Sequence, residues 1–487
     1  IMGKSLGHLQ PHRIWHYFEA ICNIPRPSKY EKKIIGYLVD FARSRGLAYK
    51  RDEAGNLLIL KPPSPGFDNR RTTVLQTHMD MVCEKNADVS HNFFVDPIPV
   101  YIDGDWVKAA GTTLGADNGI GMAVQLALLE DRNIEHGNIE CLFTVDEETG
   151  LTGATALQPE FLQGRILLNL DSEGDDELCI GCAGGVDTIA TFHYERANNE
   201  NEHIAYKLSI SGLKGGHSGD DINKHRANAN KILTRILWNC ERKFDLRIGM
   251  IDGGNLRNAI AREAFAVITV PRKFQQDFEV RIRTYIADIG VEKKSNEPDL
   301  TISCQETAMP DFLIDYFTQN RLLNALYACP HGVIGMSPDI PGLVETSTNL
   351  ASVKMTSTDI VVSTSQRSAS KTLKRDVRDM VGSVFQLAGA KVKHGEGYPG
   401  WTPDLNSDIL RVSRNIYHEL FGAQPKVIAI HAGLECGIIG EKYPGMDMIS
   451  YGPAIKDAHS PNERLLIPTV DKFWKFTLEI LKNIPEK

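Results

Sequence analysis

The chain has 487 residues, a net charge of −8 and a hydrophobic content of 42%. That length exceeds what one core usually carries, so two domains are expected. The acidic balance excludes a general attraction to nucleic acid or anionic membrane surfaces, and no apolar run approaches the ~20 residues that span a bilayer, which leaves a small-molecule substrate as the expectation.

The nine cysteines are scattered without a repeated spacing. They do not read as a secreted disulfide framework, and a cytoplasmic location is expected. Cys179 and Cys182 form a single C-x-x-C with no second pair and read as thiols on a strand. Residues 1–10 lack the apolar core of an export signal.

In chain order, strand-like runs at 57–60, 73–76, 140–144 and 166–170 alternate with a helix at 118–130. This alternation predicts an α/β catalytic domain with a mixed central sheet. From 186 to 394 the texture changes to β-branched strands, such as 205–210, 265–270 and 359–363, separated by long amphipathic helices. The change predicts an inserted α+β lid domain. Strand-helix-strand patterns near 205–270 and again near 350–394 suggest two similar halves. After 395 the α/β texture returns, with a helix at 407–421, a strand at 426–430 and a closing helix at 469–481. The expected domains are therefore 1–185 with 395–487, and 186–394. His8, His12 and His16 share a helical face but lack an H-E-x-x-H motif, and read as solvated.

Five segments at predicted strand ends carry metal-capable side chains: His78-Met79-Asp80, Gly115-Ala116-Asp117-Asn118-Gly119, Glu147-Glu148, Asp171-Ser172-Glu173 and Ala458-His459-Ser460-Pro461. Taken alone, Asp117 reads as the cap of the helix behind it, each histidine as a satisfied core residue, and the glutamate pair as solvated charge. Together they supply imidazoles and carboxylates in the mixture a zinc site with an open position uses. His78 and Asp80, two apart on an extended segment, point the same way, so the carboxylate can orient the ring. Glu147 and Glu148, adjacent on an extended backbone, point to opposite sides, so one can ligate while the other addresses a water.

Two other motifs fail. Gly216-His217-Ser218-Gly219 lacks the glycine two residues after serine that a nucleophile elbow needs, since Asp220 stands there. Gly115, Gly119 and Gly121 do not make a dinucleotide fingerprint, because Val124 occupies the place of the third glycine.

The ordered set His78-x-Asp80, Gly-Ala-Asp117-Asn-Gly, Glu147-Glu148-Thr-Gly, Asp171-Ser-Glu and His459-Ser-Pro resembles the dizinc metallopeptidase family of carboxypeptidase G, peptidase T and the carnosinases. Further stretches, among them 101–106, 111–117, 181–185, 212–219 and 431–437, resemble the branch of that family acting on X-His dipeptides. The resemblance implies that Asp117 bridges two Zn2+ ions, with His78 and Asp171 completing one ion's ligands and Glu148 and His459 the other's. Co2+ and Mn2+ accept the same ligands. It implies Glu147 as general base toward a hydroxide held by the ions, Asp80 as the residue orienting His78, and His217 as the donor that stabilises the oxyanion. Arg367 would fork onto the substrate's free carboxylate, with Arg257 and Arg262 as alternatives. Asn255 and Gly433 would also contact substrate, and His431 reads as structural. The implied activity is hydrolysis of dipeptides such as β-alanyl-histidine by a cytosolic enzyme, with a homodimer as the implied assembly. Two other readings stand beside it: an N-acyl amino acid amidase on the same scaffold, and a non-catalytic metal-binding protein, which the presence of Glu147 disfavours.

Overall fold

The computed structural model describes residues 6–199 and 201–487. The first five residues, part of the stretch read as lacking an export signal, lie outside them. The chain divides into two compact units, one of Ile1–Gly181, Pro403–Ala429 and Leu434–Lys487, the other of Cys182–Thr402 and Ile430–Gly433.

The first unit is built on an eight-stranded mixed sheet in the order Tyr49–Arg51, Leu57–Lys61, Ile139–Thr144, Thr73–His78, Ile166–Asn169, Asp447–Ser450, Glu177–Cys182 and Lys426–Ile430. Thr73–His78 runs parallel to both of its neighbours, and Asp447–Ser450 runs parallel to Ile166–Asn169. Leu57–Lys61 runs antiparallel to both Tyr49–Arg51 and Ile139–Thr144, and Asp447–Ser450 runs antiparallel to Glu177–Cys182. Every residue of Thr73–His78, Ile139–Thr144 and Ile166–Asn169 is buried, as expected where helices cover both faces of parallel strands. Helix Ala116–Glu130 is apolar nearly all round and buried along its length. The carboxyl ends of the three parallel strands lead directly into His78, Glu147–Glu148 and Asp171, where ligands of such sheets bind.

The second unit holds a long antiparallel sheet in the order Thr301–Glu306, His203–Ser211, Ala264–Pro271, Arg247–Gly253, Val344–Met355, Asp359–Ser368, Gly184–His193 and Lys391–His394. Two βαββαβ halves compose it. One runs from His203–Ser211 through helices Ala229–Phe244 and Gln275–Lys293 to Thr301–Glu306. The other starts at Gly184–His193 and resumes after the first half with helices Tyr316–Ala328 and Lys371–Leu387 and strand Lys391–His394. Numbering the strands of each half one to four, the sheet reads 4-1-3-2 and then 2-3-1-4, joined where Gly253 pairs with Val353. The alternate residues Ile204, Tyr206, Leu208 and Ile210, with Ile360 and Val362 across the join, form one core with the helices.

The unit boundaries differ from the sequence expectation. Residues 182–185, 395–402 and Ile430–Gly433, assigned to the first domain from their texture, belong to the second unit. The reason is backbone pairing: Gly185 and Tyr398 exchange hydrogen bonds, as do Cys182 and Trp401, and the Ala183 N–H donates to the carbonyls of Ile430 and Ala432. Seven of the nine cysteines are buried. His8, His12 and His16 are exposed. Among the described residues no helix is long and apolar enough to cross a membrane.

Candidate active site

Asp117 lies at the centre of the cluster. One of its carboxylate oxygens is 2.9 Å from His78 Nε2 and the other 3.1 Å from His459 Nε2. His78 Nε2 is also 3.3 Å from Asp171 Oδ1, and His459 Nε2 is 3.1 Å from Glu148 Oε2. Two groups therefore share one carboxylate: His78 with Asp171, and His459 with Glu148. The ligand-capable atoms of His78, Asp117 and Glu148 lie within 4.8 Å of one another. All five residues named as ligands from the sequence thus come together in the first unit.

Local backbone explains how. Gly115 takes φ +69°, and Asp117 and Asn118 have non-helical torsions, so the regular helix starts behind them and Asp117 is presented from the turn. The Asp117–Asn118 peptide is cis. Asn118 donates from its side chain to Asp171. His459 itself has φ +63°, in the left-handed region.

Asp80 sits with Oδ1 3.3 Å from His78 Nδ1, as the i, i+2 spacing predicts. Its other contacts were not legible: it accepts the backbone N–H groups of Glu147 and Glu148 and the hydroxyl of Ser28. Those bonds exist because the glutamates are not extended. Glu147–Gly150 is a single helical turn between left-handed Asp146 and Leu151, which corrects the sequence expectation. The two side chains diverge by helical rotation rather than by strand alternation, and none of the ring-to-carboxylate contacts above involves Glu147.

Burial pushes the Glu147 carboxyl well above its ordinary range, against the opposing pull of His78, and pushes Asp171 up to about 6. Burial acts the same way on Asp117 and Asp80, but the rings of His459 and His78 hold Asp117 well below the ordinary range, and His78, Ser28 and the Glu147 N–H hold Asp80 at about 2. Asp117 and Glu148 raise His459 to about 11. Buried carboxylates so arranged require positive charge among them. Glu148 Oε1 is buried with no hydrogen-bond partner, while its Oε2 faces His459. The donor set and this orphaned oxygen fit divalent cations.

A second polar cluster lies within the other unit. Buried Arg367 donates from Nη1 to the Tyr398 hydroxyl at 2.8 Å and from Nε to Ser218 Oγ at 3.3 Å, and its Nη2 is 3.5 Å from His217 Nε2. His217 Nδ1 lies 3.0 Å from Asp220 Oδ2. Gly433 packs so closely on Tyr398 that a Cβ there would come within 2.9 Å of the ring. His431 bonds Ser347 through Nε2 at 2.7 Å, and burial, with Arg367 nearby, lowers its pKa to about 4. Three of the four residues named for substrate and oxyanion contacts are thus neighbours. Asn255 stands apart, exposed and accepting from Lys354 Nζ, beside a cavity of about 540 Å³ lined also by Lys207, Asp252 and Arg262. Of the alternative arginines, Arg257 pairs with Asp187 and Arg262 donates to the Leu213 carbonyl. Tyr398 escaped the sequence reading, and Ser218 and Asp220 entered it only through a rejected nucleophile motif, without a role beside His217. Proximity in sequence to His217 could have flagged the last two, whereas nothing local marks Tyr398.

Residues 74–483 match the model of peptidase family M20/M25/M40. The cytosol non-specific dipeptidase of Escherichia coli (strain K12) is 43% identical over 484 residues, 99% of this chain and 100% of that protein. The crystal structure of aminoacylhistidine dipeptidase from Vibrio alginolyticus superposes with a TM-score of 0.91 at 44% identity, covering 99% of each chain. An M20 family metallo-carboxypeptidase from Sulfolobus solfataricus shares the fold at a TM-score of 0.52 and 14% identity, covering 96% of this chain and 98% of that one. The chain belongs to peptidase family M20/M25/M40, a family of metal-dependent peptidases.

Proposed function

We propose that the chain hydrolyses the peptide bond of dipeptides, including X-His dipeptides such as β-alanyl-histidine, as a dizinc enzyme of the cytoplasm. The observation that carries the reading is the placement of Asp117, one oxygen toward His78 and Asp171 and the other toward Glu148 and His459. Family membership and the names of the two relatives above 40% identity support the substrate class.

In this reading Asp117 would be a ligand common to two divalent ions, which would be held further by His78 with Asp171 and by Glu148 with His459. Bound there, divalent ions would supply Lewis acidity toward a water and the scissile carbonyl. Glu147 takes the proton of the attacking water and returns it to the leaving amine, the division of labour that requires one glutamate of the pair to stay off the metal. Asp80 fixes the tautomer and tilt of His78. His217 donates to the developing oxyanion, a contribution typically worth ~3 kcal/mol of barrier. Arg367 uses N–H donors on Tyr398 and Ser218 and has a third contact with His217, which leaves others for a free substrate carboxylate. Gly433 through its backbone and Asn255 through its amide are assigned to substrate contact. The assembly proposed is a homodimer, read out by light scattering in solution.

The experiment is an assay of purified protein against β-alanyl-histidine and against an N-acetyl amino acid, with elemental analysis of the same sample. Cleavage of the dipeptide and two zinc ions per chain are expected. Turnover of only the acylated amino acid would replace the dipeptidase by an amidase.

A further inference from the structure

Two fully buried charged residues lie behind the candidate metal cluster, and neither has a role in the mechanism above. Arg26 is 2% exposed and Glu463 is 2% exposed. The hydrogen bonds described for each go to backbone groups. Arg26 donates from Nη1 to the carbonyls of Met79 at 3.0 Å and Asp80 at 2.6 Å, and from Nη2 to the carbonyl of Gly115 at 2.5 Å. Glu463 accepts four consecutive backbone N–H groups, those of Leu114 and Gly115 on one oxygen and those of Ala116 and Asp117 on the other, at 2.7 to 3.3 Å.

The two sets meet at Gly115, whose carbonyl is held by Arg26 and whose N–H is held by Glu463. The turn that presents Asp117 is thereby fixed on both sides, while the same guanidinium fixes the strand end that presents His78 and Asp80. Burying either charge is costly without such partners. The glycines of the Asp117 segment fit this arrangement: a Cβ on Gly115 would come within 2.6 Å of Arg26 Nη2, and one on Gly119 within 2.9 Å of it. The turn is thus shaped around the guanidinium.

We propose that Arg26 and Glu463 are positioning residues that hold the 114–117 turn against the 79–80 strand end, so that both oxygens of Asp117 face their histidines. The proposal rests on the reading of Asp117 as the ligand shared by two ions. A displaced turn breaks the sharing first, because one carboxylate must satisfy two directions, whereas His78 with Asp171 can still hold one ion.

The test is titration of metal-free protein with cobalt(II), which accepts the same ligands and absorbs in the visible, on wild type, Glu463→Gln, Arg26→Lys and Glu463→Asp. Gln keeps the shape of Glu463 but replaces one acceptor by a donor facing N–H groups. Lys keeps the charge of Arg26 but loses the fork. Both are expected to bind the first ion within 3-fold of wild type and the second at least 10-fold more weakly, with an altered cobalt spectrum and a kcat loss exceeding any change in KM; Glu463→Asp, which retains both acceptor oxygens, recovers part of the second-site affinity. Two ions bound by folded Glu463→Gln and Arg26→Lys with wild-type affinity and spectrum overturn the proposal while leaving the shared-ligand reading intact. A wild type that binds one ion only overturns that reading, and the proposal with it. If Glu463→Gln does not fold, Arg26→Lys decides by the same readings.

Discussion

The carboxylate of Asp80 accepts the backbone N–H of Glu147 at 3.0 Å. With the N–H of Glu148 on its second oxygen at 3.1 Å, Asp80 ties the acidic turn to the strand end that carries His78. Its removal strands two N–H groups as well as the ring. Asp80→Ala is expected to lose about 1–3 kcal/mol of stability and at least ~100-fold in kcat, since the ring and the base move together. Asp80→Asn, which keeps one acceptor oxygen, should retain more stability than activity. Thermal melts beside steady-state kinetics separate the two effects, and parallel losses in both variants would deny Asp80 any orienting role.

Glu147 is expected to separate cleanly from Glu148. Glu147→Ala should keep its full complement of zinc and lose about 10²–10⁴-fold in kcat, whereas Glu148→Ala should lose metal. Elemental analysis of both variants is the check, and zinc lost from Glu147→Ala would show the two roles to be exchanged.

Glu435 gives a pH dependence with a defined sign. It is fully buried, accepts from Gln76 at 2.6 Å and Thr144 at 2.7 Å, and burial pushes its carboxyl from 4.5 up to about 7. Between those values the folded state holds a proton that the unfolded state has released, so this group's contribution to stability falls as pH rises from about 4.5 to about 7 and is constant above. The penalty is on the order of 3 kcal/mol. Glu435→Gln should therefore raise the melting temperature of metal-free protein at pH 8 more than at pH 4.5. An equal shift at both values would mean that Glu435 does not titrate in the folded state.

Arg367→Met should raise KM for a dipeptide about 10- to 100-fold, the equivalent of ~1.5–3 kcal/mol for a charge-assisted pair, with a smaller change in kcat. Arg257→Met, which removes an exposed pair with Asp187, should leave KM within about twofold. The opposite pattern would move the carboxylate contact to Arg257.

The strands, the main helices and the five segments with metal-capable side chains were legible because their signals are local. Apolar runs with breaks predict the strands, and strand 426–430 coincides with its predicted bounds. Metal-capable side chains at the ends of those runs mark the cluster without any long-range knowledge. The helical turn at Glu147–Gly150 was misread as extended, because its conformation is set by bonds to Asp80, 67 residues away. The second-unit boundaries slipped for a similar reason: 398–401 and Ile430–Gly433 are fixed by backbone pairing with 182–185, and backbone groups leave no trace in residue type.

By itself, then, the amino-acid sequence determined the layered α/β architecture, the two-part organisation and which carboxylates and imidazoles are available to bind metal, since hydrophobic periodicity and side-chain chemistry are carried residue by residue. Tertiary structure alone decided how those groups combine. Asp117 shares its two oxygens between His78 and His459, 39 residues before it in the chain and 342 after it, and Arg367 packs buried against Tyr398 and Ser218. Buried Arg26 and Glu463 bond backbone atoms, which every residue possesses, so only the folded chain shows what they hold.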